Sequence, residues 1–175
     1  MRIATLTTAL AVTLLGTIAA AQSATYDFDR TVNFASLKTY AWARGAELDD
    51  QLNHRRIVRA IENQLALKGM TQVEPGVKPD VLVAYYASFD RNLQINAYAS
   101  GFAGPRFGGF RSGTATTQEI VTGTLVVDVM APHSKMIIWR GLASSDIDPA
   151  AKPEKREKNI NKAAARIFKN YPPQS

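Results

Sequence analysis

The chain contains no cysteine. That excludes disulfides, thiol nucleophiles, cysteine-bound zinc or iron–sulfur centres, and a cysteine that could accept a lipid. Histidine is almost as scarce. His54 and His133 are the only two, neither has a partner at metal-ligand spacing, and both read as surface residues. The Gly-x-Ser-x-Gly, Ser-x-x-Lys and His-Glu-x-x-His patterns are missing. Glycines at 101, 104, 108 and 109 form neither a dinucleotide fingerprint nor a phosphate-binding loop. No catalytic residue, metal or cofactor is therefore assigned.

What is present begins with a leader. Arg2 supplies a short positive start, Ile3 to Ile18 is mostly apolar, and Ala19, Ala20 and Ala21 are the small residues a signal peptidase accepts. Cleavage is expected after Ala21, with Ser23 a near alternative. The apolar run is short for a membrane span, so residues 1–21 are expected to be removed, leaving no transmembrane segment. Residues 22–175 suffice for one domain. The net charge of +6 loses only Arg2 with the leader. In an exported protein, that basicity points to anionic lipid or polymer surfaces rather than nucleic acid.

The chain is organised around Thr122 to Ala143. Leu125–Met130 and Met136–Leu142 are apolar runs rich in Val, Ile and Trp, separated by Ala-Pro-His-Ser-Lys. This predicts a β-hairpin. With Met130 opposite Met136, one face carries Leu125, Val127, Val129, Ile137, Trp139, Gly141 and Ala143 and should be core. The other face is mixed. On it Asp128 and Arg140 are diagonal neighbours, expected to form an ion pair of little consequence for stability.

Thr25–Asp29 and Lys38–Trp42 read as strands and Asn33–Ser36 as a turn. Asp49 or Asp50 caps a helix that stops at Gly69, with Leu52, Ile57, Ala60, Ile61, Gln64, Leu65 and Lys68 on its inner face. Thr71–Val73 is an edge strand. Asp80–Phe89 is apolar on both faces and is placed mid-sheet with cover on each side. A last helix starts at Pro153 and presents Ile160, Ala163, Ala164, Ile167 and Phe168 at three- and four-residue spacing.

Residues 96–116 differ in kind, with five glycines and interleaved Phe and Arg. They read as a long flexible loop, with strand arms on each side, whose Phe102, Arg106, Phe107, Phe110 and Arg111 would contact a partner. Lys155, Lys158, Lys162, Arg166 and Lys169 follow one another along the last helix as a basic stripe for an anionic surface.

Tyr26-Asp-Phe-Asp29, Phe34–Trp42, Pro79–Val83, Gly123–Asp128, Ile138–Gly141 and Phe168–Pro173 together resemble the DUF4136 family. The resemblance spans nearly the whole chain after the leader. It implies a bacterial envelope location and an α+β fold, and no activity or ligand residues. Many members are predicted lipoproteins; without a lipid-accepting cysteine this chain is expected to be periplasmic instead.

The expected fold is a single α+β domain: a mostly antiparallel twisted sheet with two helices on one face and a long Gly/Phe-rich loop. The expected role is a non-enzymatic accessory protein that binds an envelope protein or anionic membrane surface. The alternatives are a periplasmic small-molecule carrier, which needs an apolar pocket between sheet and helices, and a hydrolase using carboxylates such as Asp27 and Asp29.

Overall fold

The computed structural model describes residues 24–43, 50–98 and 114–173, and for 91–98 and 114–120 the backbone alone. The leader lies outside the described residues. Six strands form one sheet: β1 (Ala24–Phe28), β2 (Thr39–Trp42), β3 (Thr71–Gln72), β4 (Val81–Tyr98), β5 (Thr114–Met130) and β6 (Ile137–Ile147). Their spatial order is β1-β6-β5-β4-β2-β3. Two helices, α1 (Gln51–Leu67) and α2 (Pro153–Ile167), cover one face.

The helix ends follow local chemistry. Asp50 caps α1, its Oδ1 accepting from the backbone N–H groups of Leu52 and Asn53, both at 3.1 Å. Gly69 takes a φ of +76° just past the end, a conformation that costs other residues. Pro153 opens α2, with Glu154 in its first turn. The sheet is mixed. The pairs β1–β6, β6–β5 and β5–β4 are antiparallel, whereas β2 runs parallel to both β3 and β4. Parallel pairing requires a crossover, and α1 provides it.

The hairpin register differs from the simple expectation. Met130 faces Ile137, not Met136, and a bulge after Val129 inserts Ile138 as an extra residue, so Asp128 lies directly opposite Arg140. The carbonyl of Ile138 accepts from Asp29 N–H at 2.9 Å. Faces are preserved beyond the bulge, where Trp139, Gly141 and Ala143 are buried as the alternation requires. Within it they exchange: Ile137 is 45% exposed and Ile138 is 9%.

The core forms where sheet meets helices. Trp139, Ile61, Leu65, Ile167 and Phe168 meet there, none more than 2% exposed. Trp139 stacks on Phe168, and Tyr171 stands edge-on to both, each such pair worth roughly 0.5–1.5 kcal/mol beyond its buried area. Gly141 makes the stack possible, because a Cβ there would lie 2.4 Å from the Trp139 ring and 2.6 Å from Ile167 Cγ2. Two expectations fail. Leu52, in the first turn of α1, lies beyond the edge of the packed face and is 57% exposed. Strand β4 is not covered on both sides: Val81, Val83 and Tyr85 face the helices, but Tyr86 on the other side is 44% exposed and Ser88 is exposed too. Among the described residues nothing packs over that second face.

Candidate binding surfaces

The outer side of the helix layer carries a cluster of basic residues. The inner stripe of α2 is committed to the core, which turns Lys155, Lys158, Lys162 and Arg166 outward, all exposed, followed by exposed Lys169. They do not all have the same freedom. Lys155 Nζ lies 3.2 Å from Asp148 Oδ2. Arg156 is structural: its guanidinium donates to the carbonyls of Ala151 and Pro149 and fastens the turn before α2. Lys158, Lys162 and Arg166 make no ion pair among the described residues. Helix α1 adds Arg55, Arg59 and Lys68. With their caps the two helices carry ten basic residues against Asp50, Glu62, Glu154 and Glu157.

Beside α2, where β4 and β5 leave the covered part of the sheet, lies an apolar groove open to solvent. Ile57, Ala87, Phe89, Gly123, Leu125, Ile147, Ile160 and Ala163 line it, and its volume is about 80 Å³. Pockets that enclose drug-sized ligands run to about 300–1,000 Å³. This groove is therefore too small to enclose such a ligand.

Asp27 and Asp29, the paired acids, line one open cavity together with Arg140. Asp27 is exposed and its Oδ1 accepts from Phe28 N–H at 2.9 Å. Asp29 lies past the strand end, where it accepts from the Thr31 hydroxyl at 2.6 Å and the Thr31 N–H at 2.8 Å. Those bonds hold its carboxyl below the usual range, the wrong direction for a general acid. Among the described residues no three His, Cys, Asp or Glu side chains are grouped to hold a metal.

Other polar contacts are structural, and several escape sequence reasoning. Asp128 is only 2% exposed and accepts both Arg140 Nε, at 2.6 Å, and a terminal guanidinium nitrogen, at 2.7 Å. The hydrogen bond from Arg140 to Asp128 raises the arginine's pKa further. This pair is stronger than the marginal surface bridge expected of diagonal neighbours. Asp80 accepts from Lys38 N–H, Thr39 N–H and the Thr39 hydroxyl, joining the start of β2 to that of β4. His54 is not a free surface residue: it is half-buried, with Nδ1 2.5 Å from the Tyr85 hydroxyl. His133 is exposed in the hairpin loop. Trp42 Nε1 donates to Glu62 at 3.1 Å.

The strand arms of the Gly/Phe/Arg segment are present, since β4 runs to Tyr98 and β5 starts at Thr114 in continuous register. The segment between them narrows from 96–116 to 99–113. Phe102, Arg106, Phe107, Phe110 and Arg111 lie outside the described residues.

With the fold established, comparison becomes informative. A family model described as a domain of unknown function, DUF4136, matches residues 24–173. The chain belongs to the DUF4136 family. No curated protein matches its sequence. Two solved structures share the DUF4136 chain's fold. A PDZ domain protein from Parabacteroides distasonis superposes with a TM-score of 0.58 at 14% identity, over 87% of this chain and 36% of that one. A PelC dodecamer from Paraburkholderia phytofirmans does so with a TM-score of 0.50 at 6% identity, over 85% of this chain and 95% of that one. At such identities the likeness is one of fold alone.

Proposed function

We propose that this DUF4136 protein is a non-enzymatic accessory protein of the cell envelope. The leader at 1–21 takes it to the periplasm, where its helix layer docks on an anionic lipid surface. The observation that carries the reading is the excess of positive charge on the helix layer, with Lys158, Lys162 and Arg166 exposed and free of ion-pair partners among the described residues. Each Lys or Arg held near an anionic membrane surface is worth about 1 kcal/mol. Because the apolar stripe of α2 is buried in the core, the helix would lie on the surface without inserting. Phe102, Arg106, Phe107, Phe110 and Arg111, on the segment beyond the β4–β5 arms, form a second proposed contact, for a protein partner.

Co-sedimentation with vesicles tests the first contact. The protein should bind phosphatidylglycerol vesicles, bind phosphatidylcholine vesicles weakly, and lose affinity steeply with salt. Changing Lys158, Lys162 and Arg166 together to Gln should weaken binding by about 100-fold, the equivalent of roughly three lost contacts. Equal binding to neutral vesicles, or none to anionic ones, would refute it. N-terminal sequencing of the protein from the periplasm should begin at Gln22; recovery of the intact leader would refute the export step.

A further inference from the structure

The apolar groove beside α2 has no role in a purely electrostatic contact, yet its composition and setting are specific. Its floor exists because residue 123 is glycine. Gly123 stands opposite Phe89 on β4 and Ser145 on β6. A Cβ at that position would meet Ile147 at 3.2 Å and Phe89 at 3.7 Å. The missing side chain leaves a gap between two large apolar ones, and Ile160 and Ala163 of α2 close the far side. Phe89 at the mouth is 51% exposed, which keeps apolar surface in water.

The rim is basic. Asn159 lies on the groove wall, and Lys155, which also pairs with Asp148, stands four residues before it. Residues at that spacing neighbour one another on a helix surface. Arg166 stands three residues beyond Ala163 in the same way. An open apolar slot edged by cations fits a molecule with an apolar tail and an anionic head. The volume of about 80 Å³ corresponds to two or three water-sized groups, far less than a whole lipid.

We infer that this groove seats a short stretch of the acyl chain of an anionic phospholipid whose head group is held by the basic rim. The inference rests on the anionic-surface reading and adds a specific apolar contact to it. Burying a methylene is worth about a fourfold gain in affinity, so two or three of them give about 15- to 60-fold.

The test places a reporter at the mouth. In a Phe89→Trp variant, with the parent protein correcting for Trp42 and Trp139, phosphatidylglycerol vesicles brominated on the acyl chain should quench the new fluorescence strongly. Adding Gly123→Ala should fill about a third of the slot, and Ala163→Leu should fill it. Quenching should fall in both, and affinity should drop about fourfold in the first and by about 15- to 60-fold in the second, while binding keeps its salt dependence. Binding without quenching would overturn the groove and leave the anionic-surface reading standing. Absence of binding would overturn both. Unchanged quenching and affinity in a folded slot-filled variant would overturn the inference. So would burial of the new Trp without lipid that grows with protein concentration, since a second copy would then occupy the groove.

Discussion

Consider replacing Arg140 with methionine. The guanidinium is half-exposed, but the carboxylate it covers is 2% exposed. Its loss strands Asp128 without a counter-charge, and breaking a buried pair from that side costs about 3–5 kcal/mol. Water can enter where the half-exposed guanidinium stood, which sets the expectation at the lower end, about 3 kcal/mol. Asp128→Asn is different. It keeps the shape and one hydrogen bond, and the arginine it releases is already half in water, so about 1 kcal/mol is expected. The double variant has no stranded charge and should cost less than Arg140→Met alone. Asparagine at 128 would thus be mildly destabilising in the parent and stabilising in the Arg140→Met background. Urea unfolding at pH 7 measures all four corners of the cycle, with unchanged m-values as the check on comparability. If Asp128→Asn costs as much as Arg140→Met, or the double variant is the least stable, the burial asymmetry does not govern this pair.

Four further outcomes are expected. Gly141→Ala should destabilise the fold by about 3 kcal/mol, because the new methyl meets the Trp139 ring and Ile167 within the packed stack; a thermal melt within a degree of the parent would show that the stack yields. Val127→Asp should abolish folding, since Val127 is fully buried, and a cooperative near-parent melt would refute its placement. Lys38 N–H, the Thr39 hydroxyl and Thr39 N–H hold Asp80 below its ordinary 3.8, so its contribution is complete above that value and lost as pH falls through the lower folded one. Asp80→Asn should lower the melting temperature at pH 7 and make little difference at strongly acid pH; a deficit that persists in acid would refute the linkage. Burial pushes the Tyr171 hydroxyl up to about 12. The folded state therefore keeps its proton, the contribution is complete below pH 10 and is lost as pH rises through 12. An absorbance titration of the Tyr171→Phe variant should lose the tyrosine that ionises at about 12, keep the late ionisation of Tyr40, whose burial also raises it, and match the parent near pH 10.

Much of the architecture was legible because it obeys short periodicities. Alternation across Leu125–Val129 and Trp139–Ala143 identified the core face, and helical spacing brought Ile61, Leu65, Ile167 and Phe168 onto Trp139. Asp50 and Gly69 are local signals and did what their chemistry predicts. What failed was non-local. The parallel pairing of β2 with β4 joins residues about forty positions apart, through the bonds of Asp80, and no local pattern carries it. The bulge that exchanges Ile137 and Ile138 leaves a carbonyl that is taken by Asp29, just past the end of β1. Apolar residues on both faces of β4 suggested two covers. The second face is instead closed locally by small Ala84 and by Asp128 beneath Arg140. Of the candidate site, the basic stripe was readable from spacing alone. The groove was not, since Gly123, Phe89, Ile147 and Ala163 come from four separate elements.

Tyr171 ties the far end of the domain to its start. Its ring stands edge-on to Phe34 and to Trp139, and its hydroxyl lies 3.3 Å from Met70 Sδ. One late side chain is thus a keystone joining early, middle and late parts of the sequence. Removing residue 171 takes from the core its edge-on contacts with Phe34, Trp139 and Phe168 and its contact with Met70. The same arrangement makes the domain vulnerable: a protease that removes the turn carrying Tyr171 takes the closure of the whole core with it.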